Sequence, residues 1–135
     1  MRKNIVVIGR LILKLGYTCT KAEYYTATVK LGKVGSWVVV KICEIVRVDS
    51  RNNCTRISMR NGSFIADYRC MKDVALLLPY NHFGYYRKGC IFCMYCVLGN
   101  DTALMSVMLD NSSEVVIGTR IVFKRFEDDF FELKT

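Results

Sequence analysis

The feature that most constrains the fold of this chain is a series of short runs rich in β-branched and aromatic residues, separated by Gly, Asn, Asp and Ser. Such runs are typical of β-strands, and the residues between them are typical of turns. Several runs alternate, as in Tyr25, Ala27, Val29 and Leu31, and a period of two places side chains on one face of a strand. Long stretches of helical periodicity are scarce. The sequence therefore predicts an all-β fold of antiparallel strands, either a sandwich or a barrel.

These runs predict strands along the whole chain, at Ile5 to Ile8, Arg10 to Leu15, Tyr24 to Leu31, Trp37 to Val48, Thr55 to Met59, Ser63 to Ala66, Val74 to Leu78, Gly84 to Tyr86, Cys90 to Leu98, Ala103 to Leu109, Val115 to Ile117 and Ile121 to Phe126. The pair Asn61-Gly62 between two of the runs is a strong signal for a β-hairpin. A helix over Arg10 to Lys30 is the alternative, because Ala22 to Ala27 contains no helix breaker. The acidic and aromatic tail, Glu127 to Glu132, is typical of a short interaction segment or of a terminal strand docked on a neighbouring subunit.

The length of 135 residues is that of one domain, which excludes a two-domain enzyme. Hydrophobic residues make up 52% of the chain, enough to bury a core. Within this single domain we expect a basic N-terminal β extension over residues 1–36 and a β core over residues 37–135. No run approaches the roughly 18 uninterrupted apolar residues of a membrane helix, so we expect no membrane span.

The positive charge is concentrated in the front half of the chain. Residues 1–60 carry twelve Lys and Arg against three Asp and Glu, whereas residues 61–135 carry eight against nine. Clustered cations attract polyanions such as nucleic acid, although the same charge also serves solubility. The first candidates for a nucleic-acid or partner surface are therefore Lys3, Arg10, Lys14, Lys30 and Lys33, and a wider set adds Lys21, Arg51, Arg56 and Arg60.

A second candidate surface is the basic and aromatic run Tyr85-Tyr86-Arg87-Lys88. Aromatic rings can stack on the bases of single-stranded nucleic acid while cations pair with its phosphates. The same run is equally typical of a strand end with a solvated tip.

Three of the seven cysteines have the spacing of a thiolate metal site. Cys90, Cys93 and Cys96 are separated by two-residue gaps, and His82 could be the fourth ligand of a zinc ion. The intervening residues are large and apolar, and strand alternation places Cys93 on the face opposite Cys90 and Cys96. The pattern therefore favours core cysteines, with no metal or other cofactor, and His82 is predicted to lie in a solvent-facing turn.

The compartment is predicted from the N-terminus and the thiols. Arg10 and Lys14 interrupt the apolar run near the start, so no export signal is predicted and the cysteines are expected to stay reduced inside a cell. Asn-X-Ser/Thr sequons at Asn53, Asn61 and Asn111 leave a secreted disulfide protein as the alternative.

From about Trp37 onward the order of segments resembles the trimeric dUTPase family. Ala103 to Glu114 followed by Val115 to Ile121 is similar to the family's strand, Asn-containing turn and Gly-Asp-Arg-Ile segment. Upstream, Ala75 to Pro79 followed by Phe83 to Gly89 resembles the family's Leu-Pro, Tyr-Gly-Arg and Arg-Ser-Gly stretch. The resemblance implies a jelly-roll type of β fold and a homotrimer.

Departures from the family pattern fall on the residues that the enzyme needs. Asp101 stands near the place of the family's water-activating Asp, but Thr102 and Ala103 follow where its Tyr is expected. Lys88 replaces the Ser of Arg-Ser-Gly, and Thr119 replaces the Asp of Gly-Asp-Arg. The resemblance therefore implies a protein that is not an enzyme and has no catalytic residues.

Retained strand order without catalytic residues is similar to the dUTPase-derived accessory proteins of some viruses, including adenoviral early-region proteins. It implies a viral accessory protein that binds host proteins in the host cytoplasm or nucleus. Two alternatives stay open. One is a basic nucleic-acid-binding viral protein, and the other is a dUTP-hydrolysing enzyme in which Asp101 acts as the base while Arg87 and Arg120 hold phosphate.

Overall fold

The computed structural model describes the backbone of residues 5–8, 11–14 and 16–134 and the side chains of residues 16–133. Its strands are β1 Ile5–Ile8, β2 Leu11–Lys14, β3 Thr28–Lys33, β4 Ser36–Lys41, β5 Ile45–Ser50, β6 Thr55–Met59, β7 Phe64–Asp67, β8 Phe83–Arg87, β9 Cys90–Cys93, β10 Val97–Asp101, β11 Ser106–Leu109 and β12 Glu114–Val116. Its α-helices are α1 Lys21–Thr26, α2 Met71–Ala75 and α3 Arg120–Lys134. Short 3-10 turns lie at Ile42–Glu44 and Met94–Cys96.

The centre of the fold is a five-stranded sheet in the order β7-β6-β5-β9-β8, in which every neighbouring pair is antiparallel. A second antiparallel sheet has the order β10-β11-β12, and β1–β2 and β3–β4 form two further antiparallel pairs. The prediction of an all-β class with antiparallel sheets is confirmed. Over the described residues no sheet closes into a barrel.

The central sheet is covered on both faces. Ile91 and Cys93 of β9 point to one face, where the Tyr24 hydroxyl of α1 lies 2.9 Å from the Cys93 sulfur. Phe92 points to the other face, where its ring packs against Phe126 of α3, with centroids 6.0 Å apart. Because strand alternation separates these two sets, the buried apolar residues form a core on each side of the sheet.

Three segments predicted as strands contain helices instead. The stretch Tyr24 to Leu31 begins in α1, Val74 to Leu78 overlaps the end of α2, and Ile121 to Phe126 lies inside α3. Helices α2 and α3 bury residues at helical spacing, such as Val122, Phe123 and Phe126 in α3, whereas α1 buries Tyr24. Packing of these faces on the sheet outweighs the β propensity of Val, Ile and Phe. The tail is therefore part of a fifteen-residue helix rather than a terminal strand.

Two long predicted strands are each divided by a 3-10 turn. Trp37 to Val48 becomes β4, the turn and β5, and Cys90 to Leu98 becomes β9, a turn and the start of β10. Strand β4 is mostly exposed and β5 is mostly buried, so the segment Trp37 to Val48 is not one continuous strand. The predicted Asn61-Gly62 hairpin is confirmed, since it joins β6 to β7 and Gly62 has a φ of 88°.

The division predicted between residues 36 and 37 falls within the β3–β4 hairpin, where Ser36 pairs with Lys33 and Trp37 with Gly32. The predicted N-terminal β extension includes the β1–β2 hairpin. No helix in the described part of the chain is long and apolar enough to cross a membrane.

Candidate functional site

Four chain segments meet at one end of the central sheet, and hydrogen bonds join them in a row. The Tyr68 amide, just after β7, donates to the Gly32 carbonyl of the β3–β4 hairpin at 3.0 Å. The Thr55 hydroxyl at the start of β6 donates to the Arg69 carbonyl at 2.8 Å. The Ser50 amide at the end of β5 donates to the Gly89 carbonyl of the β8–β9 turn at 2.8 Å. We call this region, made of residues 30–33, 51–54, 67–69 and 87–89, the basic end.

The basic end is strongly cationic. Its six cations are Lys30, Lys33, Arg51, Arg69, Arg87 and Lys88, and its single carboxylate is Asp67, which gives a net charge of +5. All the cations except the partly buried Arg69 are exposed. Cations gathered at one end of a small domain create a local positive potential that attracts polyanions.

An ion pair fixes the middle of the basic end. The buried carboxylate of Asp67 accepts hydrogen bonds from the Arg69 guanidinium at 2.8 Å and 2.7 Å, from the Arg69 amide at 2.9 Å and from the Gly32 amide at 2.8 Å. Burial alone would raise the pKa of Asp67, but the hydrogen bonds from Arg69 and Gly32 outweigh it and hold the pKa below its usual value. Asp67 therefore stays ionised and orients Arg69.

Aromatic rings lie among these cations. The Lys30 ammonium lies 5.0 Å and the Arg69 guanidinium 5.5 Å from the centroid of the Trp37 ring. Tyr68, which is 53% exposed, packs edge-on against Trp37 with centroids 5.5 Å apart. The basic end thus presents an exposed aromatic side chain beside its cations, an arrangement that suits contact with bases or sugars.

A tight hairpin turn carries the cations at the other side of the basic end. Arg87 pairs with Cys90 across the two-residue turn Lys88-Gly89, and Gly89 has a φ of 77°. Glycine adopts this left-handed conformation without steric cost. The turn therefore projects Lys88 beyond the end of the sheet, with Arg87 beside it at the end of β8.

The structure brings together five of the predicted binding residues, Lys30, Lys33, Arg51, Arg87 and Lys88, although they come from distant parts of the chain. Lys3 and Arg10 lie outside the described residues, as does the side chain of Lys14. Sequence reasoning missed Arg69 and Tyr68, and the signal for them was the Asp67-Tyr68-Arg69 run at the end of a strand.

Tyr85 and Tyr86 are not part of the exposed surface, which corrects the predicted stacking run. Each is 6% exposed, and the Tyr86 hydroxyl donates to the Asp129 carboxylate of α3 at 2.5 Å. Strand β8 is buried along most of its length, and α3 covers the face that carries Tyr86. Only Arg87 and Lys88 of this run remain available to a ligand.

The alternative zinc ligands lie in the core. Cys90, Cys93 and Cys96 are buried, which confirms their interpretation as core cysteines, and burial raises the pKa of Cys90 to about 12. His82 is 3% exposed, so its predicted place in a solvent-facing turn is wrong. Its ring nitrogens bond to the Tyr95 hydroxyl at 2.9 Å and the Cys19 carbonyl at 2.8 Å. No group of metal-ligating side chains is found among the described residues.

The residues of the enzymatic alternative lie on three different elements. Asp101 accepts a hydrogen bond from the Leu104 amide at 3.1 Å, in a turn after β10. Arg87 lies at the end of β8, and Arg120 begins α3. Within the described chain no salt bridge or hydrogen bond joins Asp101 to either arginine.

The fold is similar to that of a solved LytTr DNA-binding domain from Bacillus cereus, with a TM-score of 0.63 and 13% sequence identity. The match covers 76% of this chain and 95% of that domain. No protein-family model matches the sequence, and no curated protein matches it either. At this identity the likeness establishes a shared fold. The resemblance to dUTPases and the homotrimer stay predictions.

Proposed function

We propose that this chain is a DNA-binding domain that acts by binding rather than by catalysis, and that the basic end contacts the duplex. The observation that carries the proposal is the concentration of six cations against one carboxylate at one end of the central sheet. The similarity in fold to a LytTr DNA-binding domain supports it, because the match covers nearly all of that domain.

The basic end offers two kinds of contact. Lys33, Arg51, Arg87 and Lys88 are exposed and would pair with backbone phosphates, which position a protein on DNA without reading its sequence. Asn52 and Asn53, exposed in the β5–β6 loop, carry amides of the kind that read adenine edges in the major groove. The loop and the β8–β9 turn are held side by side by the hydrogen bond from Ser50 to Gly89.

The test is a titration of the protein with fluorescent duplex DNA at several salt concentrations. If each of the five cations outside the Asp67–Arg69 ion pair displaces one counterion, the plot of log affinity against log salt has a slope of about −4.5. The double variant Arg87→Gln/Lys88→Gln should weaken binding and reduce that slope by about 2. Parallel titrations with single-stranded DNA and with RNA identify the preferred form of nucleic acid.

A matched pair of single variants controls for net charge. Lys33 and Lys41 lie at opposite ends of the same β3–β4 hairpin, and both are exposed. Lys33→Gln should weaken duplex binding several-fold, whereas Lys41→Gln should have little effect. Equal losses from the two variants, or salt-independent binding, would contradict a site at the basic end.

An intracellular location follows from this function, and the seven cysteines, all free, fit a reducing compartment. The viral accessory role through host proteins stays an untested prediction. Turnover of dUTP that Asp101→Ala abolishes would instead establish the enzymatic alternative.

A further inference from the structure

A cleft of about 340 Å³ opens on the face of the central sheet that Arg47 shares with Phe92. Strands β5, β6 and β7 form its floor, and the turn between β11 and β12 forms a wall. The residues that matter for its chemistry are Arg47, Arg51, Arg56, Ser58, Phe64 and Asn111. Alternation explains the floor, since Arg47 pairs across the strands with Ser58, and Ser58 with Phe64.

The floor contains an ion pair that is already satisfied. The Arg47 guanidinium donates twice to the Asp49 carboxylate, at 2.9 Å through each of Nε and Nη2. Its third nitrogen donates to the Glu114 carbonyl at 3.4 Å, which ties β5 to the start of β12. Asp49 thereby neutralises Arg47, and the net charge of the cleft, about +2, resides on Arg51 and Arg56.

The Arg56 guanidinium is held in place by an aromatic ring, but one of its hydrogen-bond donors has no acceptor. Its guanidinium carbon lies 4.0 Å from the centroid of the Phe64 ring, so stacking fixes the plane of the group. Its Nε is buried and has no hydrogen-bond partner within the described structure. Buried donors in folded proteins are normally paired, and an unpaired one calls for an explanation. Because the Nε itself has almost no accessible surface, an oxyanion in the cleft would pair with this oriented guanidinium through its charge and its accessible edge.

We propose that this cleft binds the phosphoryl group of a small phosphate monoester. A monoester carries a charge near −2 at neutral pH, which matches the net charge of the cleft, and its oxygens suit the planar fork of an arginine. The Ser58 hydroxyl and the Asn111 amide line the same space. The cleft is larger than a phosphate ion, and the 58% exposed Phe64 offers an apolar wall to the rest of the ligand. This inference does not depend on the proposed DNA binding.

Isothermal titration of the full chain with adenosine monophosphate, inorganic phosphate and adenosine tests the proposal. Adenosine monophosphate should bind with a dissociation constant below about 1 mM, and adenosine at least about tenfold more weakly. Arg56→Gln should weaken binding of the monophosphate about tenfold or more, because a charge-assisted hydrogen bond and a cation are lost. Arg56→Lys keeps the charge but not the planar guanidinium, so its dissociation constant for the monophosphate should lie between those of the unmodified chain and Arg56→Gln. Lys41→Gln should bind the monophosphate like the unmodified chain.

The outcomes are distinct. No binding of adenosine monophosphate by the folded chain overturns the proposal. So does binding that survives Arg56→Gln but is lost in Arg87→Gln/Lys88→Gln, since the phosphoryl site would then lie at the basic end. If only duplex DNA binding falls in Arg56→Gln, the cleft takes a backbone phosphodiester and the monoester proposal is wrong. Thermal unfolding of each variant shows that it is folded, and failure of the duplex titration alone leaves the result for the monophosphate intact.

Discussion

The ion pair between Asp67 and Arg69 should be the most sensitive polar contact at the basic end. Each carboxylate oxygen of Asp67 accepts two N–H donors. Asp67→Asn replaces one of these oxygens by an NH2 group, so two N–H donors lose their acceptor whichever way the amide is turned. It also leaves the Arg69 guanidinium without its counterion. Breaking one partner of a buried pair costs about 3–5 kcal/mol, and because Arg69 is partly exposed we expect the lower end, about 3 kcal/mol.

Urea unfolding followed by circular dichroism at pH 7 measures this loss. The control is Asp128→Asn, which removes an exposed pair with Lys124 one turn away on α3 and should cost less than about 0.5 kcal/mol. Equal effects of the two substitutions would refute the reasoning.

The same pair predicts how stability depends on pH. Hydrogen bonds hold the pKa of Asp67 in the folded protein below its usual value of 3.8. The contribution of ionised Asp67 to the free energy of unfolding is therefore fully present above the pKa that Asp67 has in the unfolded chain. It is lost as the pH falls through the lower pKa that Asp67 has in the folded protein. The difference in unfolding free energy between the unmodified protein and Asp67→Asn should narrow below about pH 4. A constant difference down to strongly acidic pH would show that charge is not the cause.

Three further substitutions test the local structure by denaturant unfolding. Gly89→Ala should destabilise the fold by about 1–2 kcal/mol because Gly89 has a positive φ. Gly99→Ala is the control and should not destabilise the fold, since an added Cβ there meets open space. Equal effects of the two substitutions would contradict the turn geometry. Phe126→Ala should cost about 3–5 kcal/mol because its ring is fully buried, and Phe131→Ala on the same helix, 72% exposed, should change little. Thr20→Ala should cost about 1 kcal/mol by removing the cap of α1, and an unchanged unfolding free energy would show that this cap contributes nothing.

The strand content of this fold was predictable because β-branched alternation is a local property of the sequence. Helix α1, which lies within the alternative helix over Arg10 to Lys30, and helix α3 also left local signals. Thr20 and Glu23 form a capping box, with the Thr20 hydroxyl accepting from the Glu23 amide at 3.1 Å and the Glu23 carboxylate accepting from the Thr20 amide at 2.9 Å. In α3 the buried residues recur at helical spacing, but their high β propensity favoured a strand. For α3, the spacing of the apolar residues was therefore a better guide to secondary structure than their residue types.

The basic end could not be predicted in the same way, because it depends on strand order. Successive segments of the basic end are separated in the sequence by 12 to 17 residues, and the first and last segments by 53. Only the pairing of β5 with both β6 and β9 brings Arg51 and the β8–β9 turn to the same end. The front-half charge excess pointed to part of this surface, but three of the six cations, Arg69, Arg87 and Lys88, come from the half with no excess.

Local ion pairs decide which arginines remain free for a ligand. Arg47 and Asp49 are two residues apart in a strand, and so are Asp67 and Arg69 at a strand end, which places each pair on one side of the backbone. Each carboxylate therefore neutralises its own neighbour and fixes it in place. Arg51 and Arg56 form no salt bridge within the described residues, and Arg51 lies between the basic end and the cleft. A ligand phosphate is thus met by cations that the fold has not already used to stabilise itself.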